Sequence, residues 1–274
     1  MRARDPKLES ARPWWRRFTQ FSLKSMLILM ALLSVPLAGY VWLRERARRQ
    51  AEGVALVESV GGIVTYEYVD GEYSRTERPL ADWQVRWFGK DFFLNVVDVS
   101  QWTGQMPLLA RYGMPTEADI KVEPAEAKTF WEGVSRFHRL QELSVYRDWG
   151  AYGHPKVTLG KFTDLRDLQI EETELTDEDL AGLDHLDKLQ RVFLEKTHAG
   201  DETARRLSRC HSLTRLDLGR TKLTDEGLKL LSACERLEWL SLEDTAITDA
   251  GIAYLSRLSR LEVLRLGSTK ISDR

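Results

Sequence analysis

The sequence is poor in the residue types that most often carry catalytic and metal chemistry. Its 274 residues include two cysteines and five histidines, and two cysteines can neither build a disulfide framework nor fix the redox compartment. The histidines show neither the spacing of metal ligands nor a pattern that pairs a nucleophile with a base. The sequence therefore predicts no catalytic site, no metal and no cofactor, and we expect that the protein is not an enzyme.

Basic residues outnumber acidic residues only in the first part of the chain. Residues 1–50 carry 11 Lys and Arg against 3 Asp and Glu, whereas residues 51–274 carry 29 against 39. Sequence-independent binding of nucleic acid requires a basic surface on the folded domain. The acidic balance after residue 50 therefore argues against nucleic acid as a partner.

Long hydrophobic runs are also scarce, and the one that is present lies at residues 25–43. This run carries no charge. A helix of that length rises roughly 28 Å, close to the hydrocarbon thickness of a bilayer. The alternative is a cleaved secretory signal, but Leu37-Ala38-Gly39 is a poor cleavage site. We therefore expect an uncleaved transmembrane helix.

Basic residues flank this run unequally. Residues 1–24 form a basic tail with seven Lys and Arg, and residues 44–49 hold four. The more basic flank of a membrane helix stays in the cytoplasm. We therefore expect a single-pass membrane protein with a cytoplasmic N-terminus and an extracytoplasmic repeat domain.

Residues 44–139 carry several local patterns. A helix is predicted over 44–60, ended by Gly61-Gly62. The further predicted features are a strand over 63–69, a hairpin turn at 70–71, an aromatic cluster over 79–93, a strand at 120–122 and a helix over 124–137. We interpret the segment as a juxtamembrane helix, an N-terminal cap and degenerate repeats, because the open end of a solenoid needs a cap.

Residues 140–274 follow one register. A string of the type L-x-x-L-x-L, with Val or Ile in place of Leu in some copies, recurs at a fixed interval from Leu165, Leu189, Leu213, Leu237 and Leu261. A looser copy begins at Leu140. This interval and string predict a leucine-rich-repeat solenoid of the α/β class, with parallel strands on the concave face and short helices on the convex face.

Each position in the repeat has a predicted role. Three leucines of each strand face the core, and apolar residues at three-residue spacing give the helix one buried face. A threonine recurs where many such repeats have asparagine, at Thr173, Thr197, Thr221, Thr245 and Thr269. We expect its hydroxyl to bond to backbone groups in the turn. A Thr-Asp or Ser-Asp pair then precedes the helix, where such residues accept bonds from free amides.

The repeat string resembles one class of leucine-rich repeat. Residues 213–231 and 237–255 read L-x-x-L-x-L-x-x-T-x-[LI]-T-D-x-G-[LI]-x-x-L, and Cys210 and Cys234 have the phase of the closing cysteine of the cysteine-containing class. This class is also found in ubiquitin-ligase substrate receptors. With the basic tail, the apolar anchor and the segment W-F-G-K-D-F-F, the chain resembles bacterial membrane-anchored leucine-rich-repeat proteins. The resemblance implies a binding scaffold.

The outward residues of the strands form the candidate binding face. Phe193 and Trp239 are large apolar residues at positions that face solvent in a solenoid, and aromatic and Arg residues dominate interaction hot spots. The alternative is that they pack on the side-chain stems of their neighbours. The predicted partner-binding residues are Tyr146, Arg191, Phe193, Arg215, Asp217, Trp239, Ser241 and Arg265.

Two functions from different classes fit these features. The first is a membrane-anchored module that captures a protein or peptide on its concave face, although the sequence leaves a polysaccharide ligand open. The second is a scaffold of the cell envelope that self-associates, because an uncapped solenoid end invites stacking.

Overall fold

The structure, a computed structural model, describes residues 23–66, 96–101, 124–146 and 159–272. The chain divides into two compact units, Met1–Arg46 and Ala47–Arg274. The α-helices are α1 (Leu23–Ser59), α2 (Pro124–Val134), α3 (Asp201–Leu207), α4 (Asp225–Leu231) and α5 (Asp249–Leu255). The strands are β1 (Ile63–Tyr66), β2 (Val96–Gln101), β3 (Glu142–Tyr146), β4 (Asp167–Glu171), β5 (Arg191–Phe193), β6 (Arg215–Asp217), β7 (Trp239–Ser241) and β8 (Val263–Arg265).

Helix α1 contains the whole of the apolar run 25–43. It includes Pro36, and every side chain from Met30 to Leu43 is exposed. In the part of the chain that the structure describes, no helix combines the length and the apolar character needed to cross a membrane. The predicted end of the helix is confirmed: Ser59 is its last residue, and Gly61 follows with a φ of +79°.

The strands form one sheet in chain order. Strand β1 pairs antiparallel with β2, and every later pair from β2 to β8 is parallel. The inward residues stay in register across the sheet, so that Leu168, Val192, Leu216 and Leu240 stack and are fully buried. This burial of apolar area is the main stabilising contribution of a repeat. The predicted solenoid with parallel strands is therefore confirmed.

Short helices lie behind the three regular repeats, as predicted. Helices α3, α4 and α5 each have seven residues and bury one face, including Leu207, Leu228 and Leu231. The two preceding repeats have 3₁₀ turns instead, at Leu159–Lys161 and Leu183–His185. In the second of these, the carboxylate of Asp179 bonds to the amide of Thr176, which lies three residues earlier. The loop at Thr176–Asp179 therefore closes as a turn. Its sequence, T-D-E-D, lacks the T-D-x-G string found at the start of α4 and α5.

The recurring Thr and Asp have two structural roles. The hydroxyls of Thr224 and Thr248 cap their own helices by accepting from Glu226 N and Ala250 N. The aspartates act on the following repeat. Asp201 accepts bonds from the amides of Thr224 (2.9 Å) and Gly227 (3.1 Å) and from the Thr224 hydroxyl (2.6 Å). We call this series the aspartate ladder; its members are Asp177, Asp201, Asp225 and Asp249.

The recurring threonines of the turn also behave as predicted. The hydroxyls of Thr197, Thr221, Thr245 and Thr269 each donate to the carbonyl three residues earlier, at 2.6–2.8 Å. The Thr173 hydroxyl is the exception, because it is buried and has no partner among the described residues. The hydroxyl thus supplies a donor to the turn in four repeats.

A residue before each of these threonines has a left-handed backbone. Five non-glycine residues share a φ of 54–58°, namely Glu172, Lys196, Arg220, Asp244 and Ser268. This conformation costs about 1 kcal/mol per L-residue. The sheet holds it in place, since the amides of Lys196, Arg220 and Asp244 donate to carbonyls of the next repeat. The chain therefore turns at the same point in every coil.

The second unit begins with a close helix crossing. The last third of α1 packs on α2, with Val57 and Phe130 fully buried. A methyl group at Gly53 would lie 2.9 Å from the Gly133 carbonyl oxygen, and one at Gly133 would lie 2.8 Å from the Gly53 carbonyl oxygen. Arg136 pairs with Glu52 at 2.5 Å beside this crossing. Each glycine is therefore required by the backbone of the opposite helix.

Of the other predictions for residues 44–139, two can be compared with the structure and three cannot. The helix predicted over 124–137 is observed at Pro124–Val134, and the strand predicted from residue 63 is β1. The hairpin turn at 70–71, the aromatic cluster at 79–93 and the strand at 120–122 lie outside the described residues. The interpretation of this segment as a cap stays a prediction.

Candidate partner-binding surface

The outward residues of β4–β8 form three columns on the concave face. Their positions follow from the strand register. The first column is Asp167, Arg191, Arg215, Trp239 and Val263, and the second is Gln169, Phe193, Asp217, Ser241 and Arg265. The third column lies two residues further along and comprises Glu171, Glu195, Gly219, Glu243 and Gly267.

The aromatic pair Phe193–Trp239 occupies the middle of this face. The two rings lie diagonally across β6, with centroids 6.1 Å apart and planes at 49°. Both side chains are half-buried, so each ring has one surface on its neighbour and one towards solvent. The two aromatics therefore lie on the strand face where the sequence places them, and each packs on the other ring.

The three predicted arginines have different surroundings. Arg191 forms a double hydrogen bond with Asp167, of which the Nη2–Oδ2 distance is 2.7 Å. The Arg265 guanidinium lies 5.3 Å from the centroid of the Trp239 ring, within the range of a cation–π interaction. Arg215 is exposed and has no ion-pair partner among the described residues. Arg215 is therefore a cation of this face that is available to a partner.

Asp217 lies beside the aromatic pair, on the strand between them. Its Oδ1 accepts a bond from the Gly219 amide at 2.8 Å. Burial raises the pKa of Asp217, and the charge of Glu243 raises it further, against the lowering effect of bonds from Gly219 and Ser241. Ser241 is only 2% exposed. The sequence predicts Ser241 as a contact of the partner, but its burial places it as a support for the Asp217 carboxylate.

The predicted partner-binding residues do not include the third column, although its glutamates lie on the same face. Burial raises the pKa of Glu171, and the charges of Glu195 and Asp217 add to the effect. Glu195 pairs with Arg220 at 3.4 Å. The signal in the sequence is that every residue at this phase is Glu or Gly. For Tyr146, the backbone pairs with Glu171, but its side chain lies outside the described residues.

The cysteines are packing residues. Both are free and buried, and their thiols donate to the carbonyls of Leu183 (3.3 Å) and Leu207 (3.5 Å). Burial raises the pKa of each thiol to about 12, so both stay protonated. Among the described residues, no group of His, Cys, Asp and Glu is arranged to hold a metal ion.

The stacked coils, the buried leucine columns and the parallel sheet have the architecture of a leucine-rich-repeat solenoid. Residues 209–232, which contain α4 and β6, match the family model for the leucine rich repeat. None of the curated proteins matches the chain.

Solved structures with some likeness to this chain include two leucine-rich-repeat ectodomains. Internalin C2 from Listeria monocytogenes is 19% identical over 61% of this chain and 74% of its own, with a TM-score of 0.44. The ectodomain of the plant membrane receptor kinase GASSHO1/SCHENGEN3 from Arabidopsis thaliana, in complex with CASPARIAN STRIP INTEGRITY FACTOR 2, is 17% identical over 51% of this chain and 17% of its own, with a TM-score of 0.38. The receptor kinase SOBIR1 ectodomain, also from Arabidopsis thaliana, is 17% identical over 48% and 74%, with a TM-score of 0.37. At these scores nothing about the partner of this chain follows from them.

Proposed function

We propose that this protein is a membrane-anchored binding module whose concave face captures a protein or peptide. The observation that carries the proposal is the aromatic pair Phe193–Trp239, half-exposed at the centre of a sheet face that no described element covers. Large aromatic side chains supply much contact area at a small entropic cost and dominate interaction hot spots. The proposal assigns the protein binding and no reaction.

The arrangement around the pair suits a protein partner. Arg215 lies in the first column, and Asp217 and Arg265 lie in the second, so an apolar centre has charged groups at its edge. Interfaces between proteins commonly have this organisation. The parallel strands fix the spacing of these side chains, since β5, β6 and β7 each pair with a strand on both sides and β8 pairs with β7.

The binding test uses the full chain, kept soluble with detergent and immobilised. Peptides are selected from a random displayed library, resynthesised and titrated. We expect Phe193→Ala together with Trp239→Ala to weaken binding at least tenfold, because a buried aromatic anchor contributes about 2 kcal/mol or more. Leu230→Ala is the matched control, because Leu230 is an exposed apolar residue of α4 on the convex side. Equal binding by the double variant would exclude this face.

The anchor is the second part of the proposal. The exposed apolar side chains of α1 support it, as does the Arg46 guanidinium, which lies 5.7 Å from the centroid of the exposed Trp42 ring. Tryptophan and arginine at the end of an apolar helix are typical of the headgroup level. We further propose the bacterial origin and the orientation that the sequence predicts. Release by alkaline carbonate would contradict the anchor, and protection from protease on intact cells would contradict the orientation.

Self-association is the second candidate function. The observation in its favour is that Leu264 in β8 is 37% exposed, whereas its equivalents Leu240 and Leu216 are fully buried. The amides of Leu242 and Asp244 bond to the next coil, and those of Leu266 and Ser268 have no partner among the described residues. A second copy would cover both the apolar surface and these donors.

The test of self-association is sedimentation of the full chain over a range of concentrations. We expect a dimer that Leu264→Glu weakens at least tenfold, since a charge on an apolar contact must be desolvated. Leu230→Glu is the matched control, because Leu230 is exposed to the same 37%. A chain that stays monomeric at every concentration would exclude this function.

A further inference from the structure

Glutamate and glycine alternate over the last four positions of the third column of the concave face. Glu195, Gly219, Glu243 and Gly267 occupy equivalent positions in successive coils. A methyl group at Gly219 would lie 3.5 Å from Glu195 Cγ and 3.1 Å from Asp217 Oδ1, and one at Gly267 would lie 3.4 Å from Glu243 Oε1. A methyl group at Gly219 would therefore crowd the Asp217 carboxylate, whereas one at Gly267 would make ordinary van der Waals contact with Glu243. We call Glu171, Glu195, Asp217 and Glu243 the carboxylate group.

The charge of the carboxylate group is compensated in part. Glu195 pairs with Arg220, while Glu171 accepts from the Gln169 amide at 3.0 Å and Asp217 accepts from the Gly219 amide. Glu243 is exposed and has no ion-pair partner among the described residues. Burial raises the pKa values of Glu171 and Asp217, and neighbouring carboxylates raise them further. A cation placed here would relieve this repulsion.

Arg265 is a cation that lies beside both Trp239 and Asp217 on this face. Its guanidinium lies over the Trp239 ring at 5.3 Å, and its charge also lowers the pKa of Asp217. An aromatic ring and a carboxylate thus already act together on one cation. The same carboxylate accepts from the Gly219 amide, and the cation that follows in the sequence, Arg220, already pairs with Glu195 and Asp244.

We propose that the concave face selects a partner segment in which a Lys or Arg side chain lies close to an apolar residue. The apolar side chain packs on the Phe193–Trp239 pair, and the cation lies above Gly219, between Glu195 and Glu243. Adjacent parallel strands are about 4.8 Å apart. Glu195 and Glu243 follow strands that are two spacings apart, so their backbones are about 9.6 Å apart, which leaves room for one side chain between the two carboxylates. This inference rests on the proposed function, because it names the partner chemistry of that same face.

The experiment titrates peptides obtained by selection from a random displayed library on the immobilised full chain. We expect enrichment of Lys or Arg at a fixed distance from an apolar residue. Glu243→Gln should weaken binding of such a peptide roughly threefold to fivefold, as for an exposed ion pair. Glu243→Gln with Asp217→Asn should weaken it tenfold or more, since Asp217 is half-buried and less screened by solvent.

Two controls separate this site from general attraction between a basic peptide and an acidic protein. Glu235→Gln removes the same charge from an exposed position beyond α4, and we expect it to leave binding unchanged. Norleucine in place of the selected Lys keeps the aliphatic stem and removes the charge, and we expect a loss as large as that of the double variant.

The outcomes are distinguishable from those of the proposed function. Selected peptides that depend on Phe193 and Trp239 but carry no cation would overturn this inference and leave the proposed function intact. Cationic peptides that bind Glu243→Gln with Asp217→Asn as well as the unaltered chain would also overturn it. A library that yields no binder of the concave face would overturn both.

Discussion

Replacing Asp201 by alanine should lower the free energy of unfolding by about 3 kcal/mol. The carboxylate accepts from two amides and one hydroxyl of the following repeat. Bonds to a charged acceptor contribute about 1.5–3 kcal/mol, and the buried amide of Gly227, left without a partner, adds a cost. Urea unfolding followed by far-UV circular dichroism measures the total loss.

The Asp201 prediction also has a local signature. The amides of Thr224 and Gly227 should exchange with solvent at least tenfold faster in Asp201→Ala, because they lose their acceptor. Asp201→Asn keeps one acceptor oxygen and should lose less stability than Asp201→Ala. Glu235→Ala removes an exposed carboxylate of the same solenoid and should change stability by less than about 0.5 kcal/mol. Equal stability of Asp201→Ala and Glu235→Ala would show that the ladder does not hold the repeats together.

Gly133→Ala should destabilise the protein by about 2 kcal/mol, the middle of the range for overpacking of a tight contact, although alanine is the better helix former. Its methyl group would lie 2.8 Å from both the Gly53 carbonyl oxygen and Val57 Cγ2, so α1 and α2 would have to separate. Helix propensity alone predicts the opposite sign, a gain of up to about 1 kcal/mol. The urea midpoint therefore decides between the two effects.

Two further variants place the Gly133 effect at the helix crossing. Gly53→Ala introduces the reciprocal methyl group, 2.9 Å from the Gly133 carbonyl oxygen, and should destabilise in the same direction. Lys128→Ala lies on an exposed part of α2 and should have little effect. A Gly133→Ala chain that is more stable than the unaltered one would contradict the close approach of the helices.

The repeat register could be predicted from the sequence because it depends on local patterns that recur. The fixed repeat interval, the inward leucines such as Leu216 and the threonine hydroxyls such as that of Thr221 each follow from residues within one unit or its neighbour. The glycine crossing could not be predicted, because Gly53 and Gly133 lie far apart in the sequence and helix propensity counts each as unfavourable. Long-range backbone contacts leave no periodic trace.

The candidate site could be predicted only in part, because the contacts between side chains of different repeats are not visible in the pattern of one repeat. Strand alternation identifies Phe193 and Trp239 as outward residues, but not that they pack on each other across β6. Ser241 has the same phase as Phe193, yet it is buried, which strand alternation does not predict. The reach of each Asp of the ladder into the following coil was also missed, since the motif T-D predicts a cap on its own helix.

The aspartate ladder gives the solenoid a direction. In each pair, the acceptor belongs to the coil nearer the N-terminus and the donors to the next one, as with Asp201 and Thr224. During synthesis the N-terminal coil emerges from the ribosome first. Every new coil therefore meets a carboxylate that is already in place to receive its amides, and the chain can be assembled one turn at a time as it is made.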